Sequence, residues 1–139
     1  MSAPFALRIL AADRTFFEGE CLSLTVPFPD GDYGILAYHV PLAGAMVPGR
    51  LRYVLPNGEV HIAAVSSGLV RVENNEVLVL TESAERPDEI DEARARRDVE
   101  AAAEKLRQTR SRLEHSDAEI RIARALNRLR VRDEGVNNG

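Results

Sequence analysis

The sequence predicts an α+β chain in two parts. Residues 1–86 read as an antiparallel β-sandwich, or flattened barrel, and residues 87–139 as an antiparallel two-helix hairpin. Three features of the chain point there. All seven prolines lie between Pro4 and Pro87, and beyond Pro87 the only glycines are Gly135 and Gly139. Charge divides at the same place: residues 1–86 carry ten acids and six bases, residues 87–139 twelve of each. Apolar spacing also changes there, from alternation to a helical period.

Phe5, Leu7 and Ile9 alternate along a first strand. Cys21–Val26 reads as a second, ended by Pro27-Phe28-Pro29-Asp30-Gly31. Arg50–Leu55 is another, and Pro56-Asn57-Gly58 turns it into Val60–Val65, Asn-Gly being a strong hairpin signal. Ser66-Ser67-Gly68 breaks the run. Leu69–Val72 and Val77–Thr81 then pair around Glu73-Asn74-Asn75-Glu76. Many short strands in one small domain make a sandwich or barrel. Among them, Gly31–Leu42 reads as an exposed loop held in one shape at the end of a sheet. Gly31 and Gly34 admit positive φ, and Pro41 holds Val40 extended.

Pro87-Asp88-Glu89-Ile90-Asp91 is expected to start the first helix, with acids where the macrodipole favours them. Val99, Ala102, Leu106 and Leu113 mark one face, and Glu92 with Arg96 forms an i,i+4 pair. Ser116-Asp117-Ala118-Glu119 reads as a capping box opening the second helix. Ala118, Ile122, Ala125, Leu126 and Leu129 follow at helical spacing. A short connection near Leu113–His115 makes the pair antiparallel, and Gly135–Gly139 is expected to fray. The stripes are rich in alanine, so two helices alone bury little area and lean on the sandwich or a partner. A mobile regulatory arm and a permanently docked hairpin both fit that pattern.

The formal net charge of −4 speaks against a nucleic-acid protein. Cys21 is the single cysteine, so no intrachain disulfide forms, and its strand setting suits a buried thiol in a reducing compartment. No apolar run approaches the roughly 20 residues of a membrane span. The expectation is a soluble chain, or one that meets a membrane only through a partner. His39, His61 and His115 have no neighbouring Cys or His at metal-ligand spacing, so no metal is expected. There is no phosphate-loop or nucleophile-elbow motif, and Ser66-Ser67-Gly68 fits a strand turn. No catalytic residue and no enzyme activity are expected.

One constellation carries chemistry. Glu85, Asp91 and Arg94 stand at the start of the first helix. Arg124 and Arg128, four apart, share one face near the end of the second. In an antiparallel hairpin those ends meet, and two guanidiniums can hold a polyphosphate bidentately. Solvated salt bridges account for the same residues, and a free-standing nucleotide sensor would need only the two late arginines.

The chain resembles the epsilon subunit of F-type ATP synthases over nearly its whole length. Gly31 to Leu42 matches the pattern Gly-x-x-Gly-x-Leu-x-x-His-x-Pro-Leu. Val65-Ser66-Ser67-Gly68-Leu69-Val70-Arg71-Val72 stands where the family tends to have Ser-Gly-Gly. Ala84-Glu85-Arg86, Ile90-Asp91-Glu92-Ala93-Arg94-Ala95 and Arg124-Ala125-Leu126-Asn127-Arg128-Leu129-Arg130-Val131 follow in the family's order. Ala37-Tyr38 departs from a common Pro-Gly or Pro-Asn pair, and Ser67 from a glycine.

The resemblance implies a β-sandwich with a helical hairpin and a non-catalytic role in the central stalk of a proton-translocating rotor. It implies a sandwich that binds the gamma subunit and the c-ring, with Asp32 and His39 at that contact. It implies a hairpin that reaches the alpha and beta subunits and inhibits ATP hydrolysis. Glu85, Ile90, Asp91, Arg94, Arg124 and Arg128 match positions that hold a regulatory ATP in some bacterial members; no cofactor is required. The implied location is the cytoplasmic side of a bacterial inner (plasma) membrane, reached through the complex.

Overall fold

The computed structural model of the chain describes residues 3–108 and 112–138, with side chains for 3–108 and 116–135. It divides into two compact units, Met1–Glu85 and Arg86–Gly139.

The first unit has ten strands: β1 (Phe5–Ala11), β2 (Thr15–Cys21), β3 (Ser23–Phe28), β4 (Gly31–Leu36), β5 (Leu42–Met46), β6 (Gly49–Val54), β7 (Val60–Val65), β8 (Gly68–Glu73), β9 (Glu76–Thr81) and β10 (Ala84–Glu85). They form two five-stranded sheets, ordered β2-β1-β9-β8-β5 and β10-β7-β6-β3-β4. Among the described residues every strand pairing is antiparallel except β1 with β9. Those two strands are joined by most of the sandwich rather than by a hairpin, so no tight turn dictates their direction. The inner faces meet in a core that includes Leu7, Ile9, Leu24, Val26, Ile35, Leu51, Val70, Val72 and Val79, all fully buried. Of these, Leu7 and Ile9 alternate with Phe5 as the sequence showed.

Three expectations for this unit change. Cys21–Val26 is not one strand: Cys21 ends β2 and Ser23 begins β3, the break marking the passage from one sheet to the other. The sequence concealed β2 because Glu18, Gly19 and Glu20 interrupt its apolar pattern, as an edge strand can tolerate. Gly31–Leu42 is not a loop throughout: Gly31–Leu36 pairs with β3, Leu42 opens β5, and only residues 37–41 connect them. Gly31 has a positive φ of 125°; Gly34 does not and sits in the ladder opposite Thr25.

A buried polar knot ties the sheets at one corner. The Ser66 and Thr81 hydroxyls lie 3.0 Å apart, and Thr81 Oγ1 also donates toward the Ser66 carbonyl at 3.2 Å. The Ser83 amide donates to Ser66 Oγ at 2.9 Å. Beside this knot, Gly68 pairs with Thr81 so closely that a Cβ there would lie 2.0 Å from the Leu80 carbonyl oxygen.

The second unit holds a 3-10 turn (Pro87–Glu89), α1 (Glu92–Gln108) and α2 (Arg112–Asn138). Arg132 pairs with Glu92 and Arg128 with Asp98, which makes the helices antiparallel. Ala95, Val99, Ala102 and Leu106 turn inward from α1, and Ala118, Ile122, Ala125 and Leu129 from α2.

Here too the structure corrects the sequence. Pro87–Glu89 is a separate turn, and Ile90 is extended (φ −82°, ψ 120°), so α1 begins only at Glu92. Asp91 caps it, accepting the Arg94 amide on Oδ1 at 3.0 Å. Ser116–Glu119 lies inside α2, which starts by Arg112, so the turn expected at Leu113–His115 is helical backbone. Arg112, Leu113 and Glu114 are strong helix formers and carry the helix past the serine. The side chains of Leu113 and His115 lie outside the described residues. The tail does not fray at Gly135: α2 continues to Asn138, with Gly135 set against the Pro87 ring. Leu126, expected in the inner stripe, is 51% exposed, one residue past the buried Ala125.

Candidate functional site

The outer face of the first sheet is banded by its register. Ala45, Leu69, Leu80 and Leu10 stand side by side across β5, β8, β9 and β1. Leu69 is 59% and Leu80 41% exposed. The next row runs Ala43, Arg71, Leu78, Arg8 and Glu18, with Arg8 Nε 3.9 Å from Glu18 Oε1. The third holds Glu73, Glu76, Ala6 and Glu20. An apolar row left in water beside a charged one is the composition of a protein-docking face.

The β4–β5 connection lies at the end of β4 remote from Asp32. Asp32 is exposed on β4, opposite Pro27. His39 follows the turn, roughly 13 Å farther along if four strand residues are counted to Leu36. The neighbour of Asp32 makes the link: Tyr33 Oη lies 2.8 Å from His39 Nε2. His39 Nδ1 lies 2.7 Å from the Val40 carbonyl, which can only accept, so Nδ1 carries a proton. His39 thus shapes its loop. Asp32 and His39 do not form a cluster, because alternation puts Asp32 on the face opposite Tyr33.

The turn at Leu36–His39, closed by the His39 amide on the Leu36 carbonyl at 3.3 Å, holds Tyr38 at φ 60°. The Tyr38 amide donates to Asn75 Oδ1 at 2.7 Å. Asn75 belongs to the β8–β9 turn and donates in turn to the Pro4 carbonyl at 3.2 Å. Leu36, Tyr38 and Val40 all stand well exposed. Neither Tyr38 nor Asn75 stands among the site residues expected from sequence: Tyr38 marked only a departure from the family pattern, and the Asn74-Asn75 pair only a turn.

In the helical unit the charges line the seam between α1 and α2. Arg132 Nη1 is 2.8 Å from Glu92 Oε2, and Arg128 Nη1 is 3.6 Å from Asp98 Oδ2. Ile90, Asp91, Glu92, Ala93, Arg96 and Arg132 line an open groove there. Asp91 is held below the ordinary carboxylate range, first by the Arg94 amide hydrogen bond. Glu92 is also held low, first by its hydrogen bond from Arg96 and then by the Arg132 charge.

The expected meeting of Arg124 and Arg128 with Asp91 and Arg94 is displaced. Arg132, absent from the sequence-based set, stands level with Glu92; Arg128 stands level with Asp98. Arg124 is exposed two turns before Arg132, about 12 Å along the axis. Because the Ser116 start was wrong, the facing of the two helices could not be counted from it. Ile90 has its side chain buried. Glu85 belongs to the sandwich, in β10 opposite Ala64. Among the described residues no group of three or more His, Cys, Asp or Glu side chains could hold a metal. Among them also, no helix is long and apolar enough to cross a membrane.

Comparison with known proteins agrees with this two-part architecture. Residues 4–87 match the family described as ATP synthase, Delta/Epsilon chain, beta-sandwich domain. Residues 88–132 match its long alpha-helix domain. The ATP synthase epsilon chain of Ruminococcus albus is 39% identical over 130 residues, covering 93% of this chain and 96% of that one. That of Nitratidesulfovibrio vulgaris (strain DP4) is 36% identical over 132 residues, covering 95% and 98%. A chain from the mitochondrial ATP synthase of Euglena gracilis, solved with OSCP, F1 and c-ring, superposes with a TM-score of 0.79 at 22% identity, covering 98% of this chain and 83% of that one. With both units matched and full-length relatives well above 30% identity, this chain belongs to the delta/epsilon family of ATP synthase subunits, alongside its epsilon chains.

Proposed function

We propose that this chain is a non-catalytic rotor subunit in the central stalk of a proton-translocating ATP synthase, coupling proton flow to ATP synthesis. Family membership supports the role. The uncovered row Ala45, Leu69, Leu80 and Leu10 carries the assignment of surfaces. Covering the exposed parts of Leu69 and Leu80 is worth about 2–3 kcal/mol together, on the usual area coefficient. The gamma subunit is the occupant of that face. Asp32 and the His39 loop meet the c-ring, through which the chain is held at the cytoplasmic side of a bacterial plasma membrane.

The hairpin is the regulatory arm, meeting alpha and beta subunits transiently and inhibiting ATP hydrolysis. ATP is its regulatory ligand, held by Ile90, Asp91, Arg94, Arg124 and Arg128. Arg132 joins the set because it lines the same groove as Ile90 and Asp91. In the closed hairpin Arg128 and Arg132 already face Asp98 and Glu92. A triphosphate therefore displaces carboxylates, exchanging one set of charge-assisted bonds for another.

Co-purification with gamma tests the docking face. Leu69→Asp and Leu80→Asp together should leave the sandwich folded and abolish capture; undiminished capture would remove the assignment. Deleting residues 88–139 should raise the ATPase activity of the assembled complex, and an unchanged rate would remove the inhibitory role. Calorimetry with millimolar ATP tests the ligand: Arg128→Ala should weaken binding, and no heat from the intact chain would remove ATP.

A further inference from the structure

Tyr38 occupies the third position of the Leu36–His39 turn with φ 60°, while Ala37 before it has no positive φ. That is the type II pattern, whose third position strongly favours glycine or asparagine. An aromatic residue there is a steric outlier held by its surroundings, and such outliers concentrate where a side chain serves a purpose beyond the fold. The ring gives the fold little in return, since Tyr38 is 76% exposed. Its backbone is nonetheless pinned from outside the loop by Asn75 Oδ1 at 2.7 Å. Asn75 is itself anchored through its carbonyl to the Ala6 amide and through its side-chain amide to Pro4. On the other side of the turn, the Tyr33–His39–Val40 chain of hydrogen bonds fixes the return path.

We propose that Tyr38 is a specificity-determining anchor for the c-ring contact, and that Asn75 is the positioning residue that aims it. The inference rests on the c-ring reading of this loop. The ring projects between two exposed apolar neighbours, Leu36 and Val40. The adjacent β8–β9 turn carries Glu73 and Glu76, both exposed, and no lysine or arginine occurs between Arg14 and Arg50. Charge about that turn is mixed, since Arg8 and Arg71 line one pocket with Glu73 and Glu76, so the complementary surface on the ring is an apolar crevice. A rigid aromatic enters such a crevice with little loss of side-chain entropy, and here its backbone is ordered before contact.

The test uses the full chain in complex with gamma, measured against purified c-ring in nanodiscs. Tyr38→Gly relieves the strained conformation, so the free protein should keep or gain thermal stability while affinity for the ring falls at least tenfold. Tyr38→Phe keeps the ring and should bind within threefold of the parent. Asn75→Gly retains the positive φ of 58° that Asn75 itself adopts but removes the acceptor. It should speed hydrogen exchange at the Tyr38 amide and weaken binding. Equal affinity of Tyr38→Gly and the parent would overturn the anchor, and so would lost stability, which would assign Tyr38 to the fold. Unchanged exchange or binding in Asn75→Gly would overturn the positioning role. If the parent complex itself does not bind the ring, the c-ring reading falls and this inference with it.

Discussion

Gly68→Ala should break the sandwich at its polar corner. A Cβ on Gly68 would lie 2.0 Å from the Leu80 oxygen, and 3.0 Å from both the Leu80 carbon and the Thr81 Cα. All three are backbone atoms of the paired strand, so no side chain can rotate away. Relief requires β8 to part from β9 at the Gly68–Thr81 pair. Thr81 Oγ1 then moves relative to the Ser66 and Ser67 carbonyls it reaches at 3.2 and 3.3 Å. Overpacking costs about 1–3 kcal/mol, and an unsatisfied buried hydroxyl about 1–3 more, giving roughly 2–6 kcal/mol in all. The three tyrosines, Tyr33, Tyr38 and Tyr53, all lie in the sandwich unit, and the chain has no tryptophan. Tyrosine fluorescence in urea therefore follows this unit alone, while circular dichroism at helical wavelengths follows the hairpin. The fluorescence transition should move to lower urea by that energy, with the helical signal little changed. Ser67→Gly, the neighbouring change, should stay within about 0.5 kcal/mol of the parent. A Gly68→Ala shift no larger than that of the control would refute the close approach.

Three further outcomes follow from the same structure. Gly135→Ala places a Cβ 2.1 Å from the Pro87 Cβ, so despite alanine's better helix propensity of about 1 kcal/mol, amide exchange at Glu89 and Ile90 should accelerate; unchanged protection would contradict the contact. Burial pushes the Cys21 thiol up to about 12, so iodoacetamide at pH 8 should label it only after urea unfolding, and native labelling would show the site to be open. Asp91, Glu92 and Glu104 are depressed in the folded hairpin, Glu104 first by its hydrogen bond from Arg107. Groups of that kind add stability that is complete above their unfolded values and lost as pH falls through the folded ones. Helical stability should accordingly hold from pH 8 to about 5 and decline below about 4, and a loss between pH 8 and 6 would point to other groups.

The division into sandwich and hairpin was determined by the sequence alone, because period-2 burial and period-3.6 burial leave different traces in the same alphabet. Phe5, Leu7 and Ile9 alternate because one face of β1 is buried, and that requirement is local. The Asn74-Asn75 turn was equally local, since two residues with positive φ call for asparagine. The resemblance of the Gly31–Leu42 and Ile90–Ala95 segments placed the chain in a family for the same reason: contiguous residues carry it. Tertiary structure alone decided what depends on the meeting of distant segments. No local pattern could pair β1 with β9 in parallel, or show Asn75 reaching across to Tyr38. The facing of α1 and α2 depended on where α2 begins, and the helix-forming run before Ser116 overrode its capping signal. Arg132 was thereby brought to Glu92, and Gly135 beneath Pro87, by packing that sums over two helices rather than by any spacing within one.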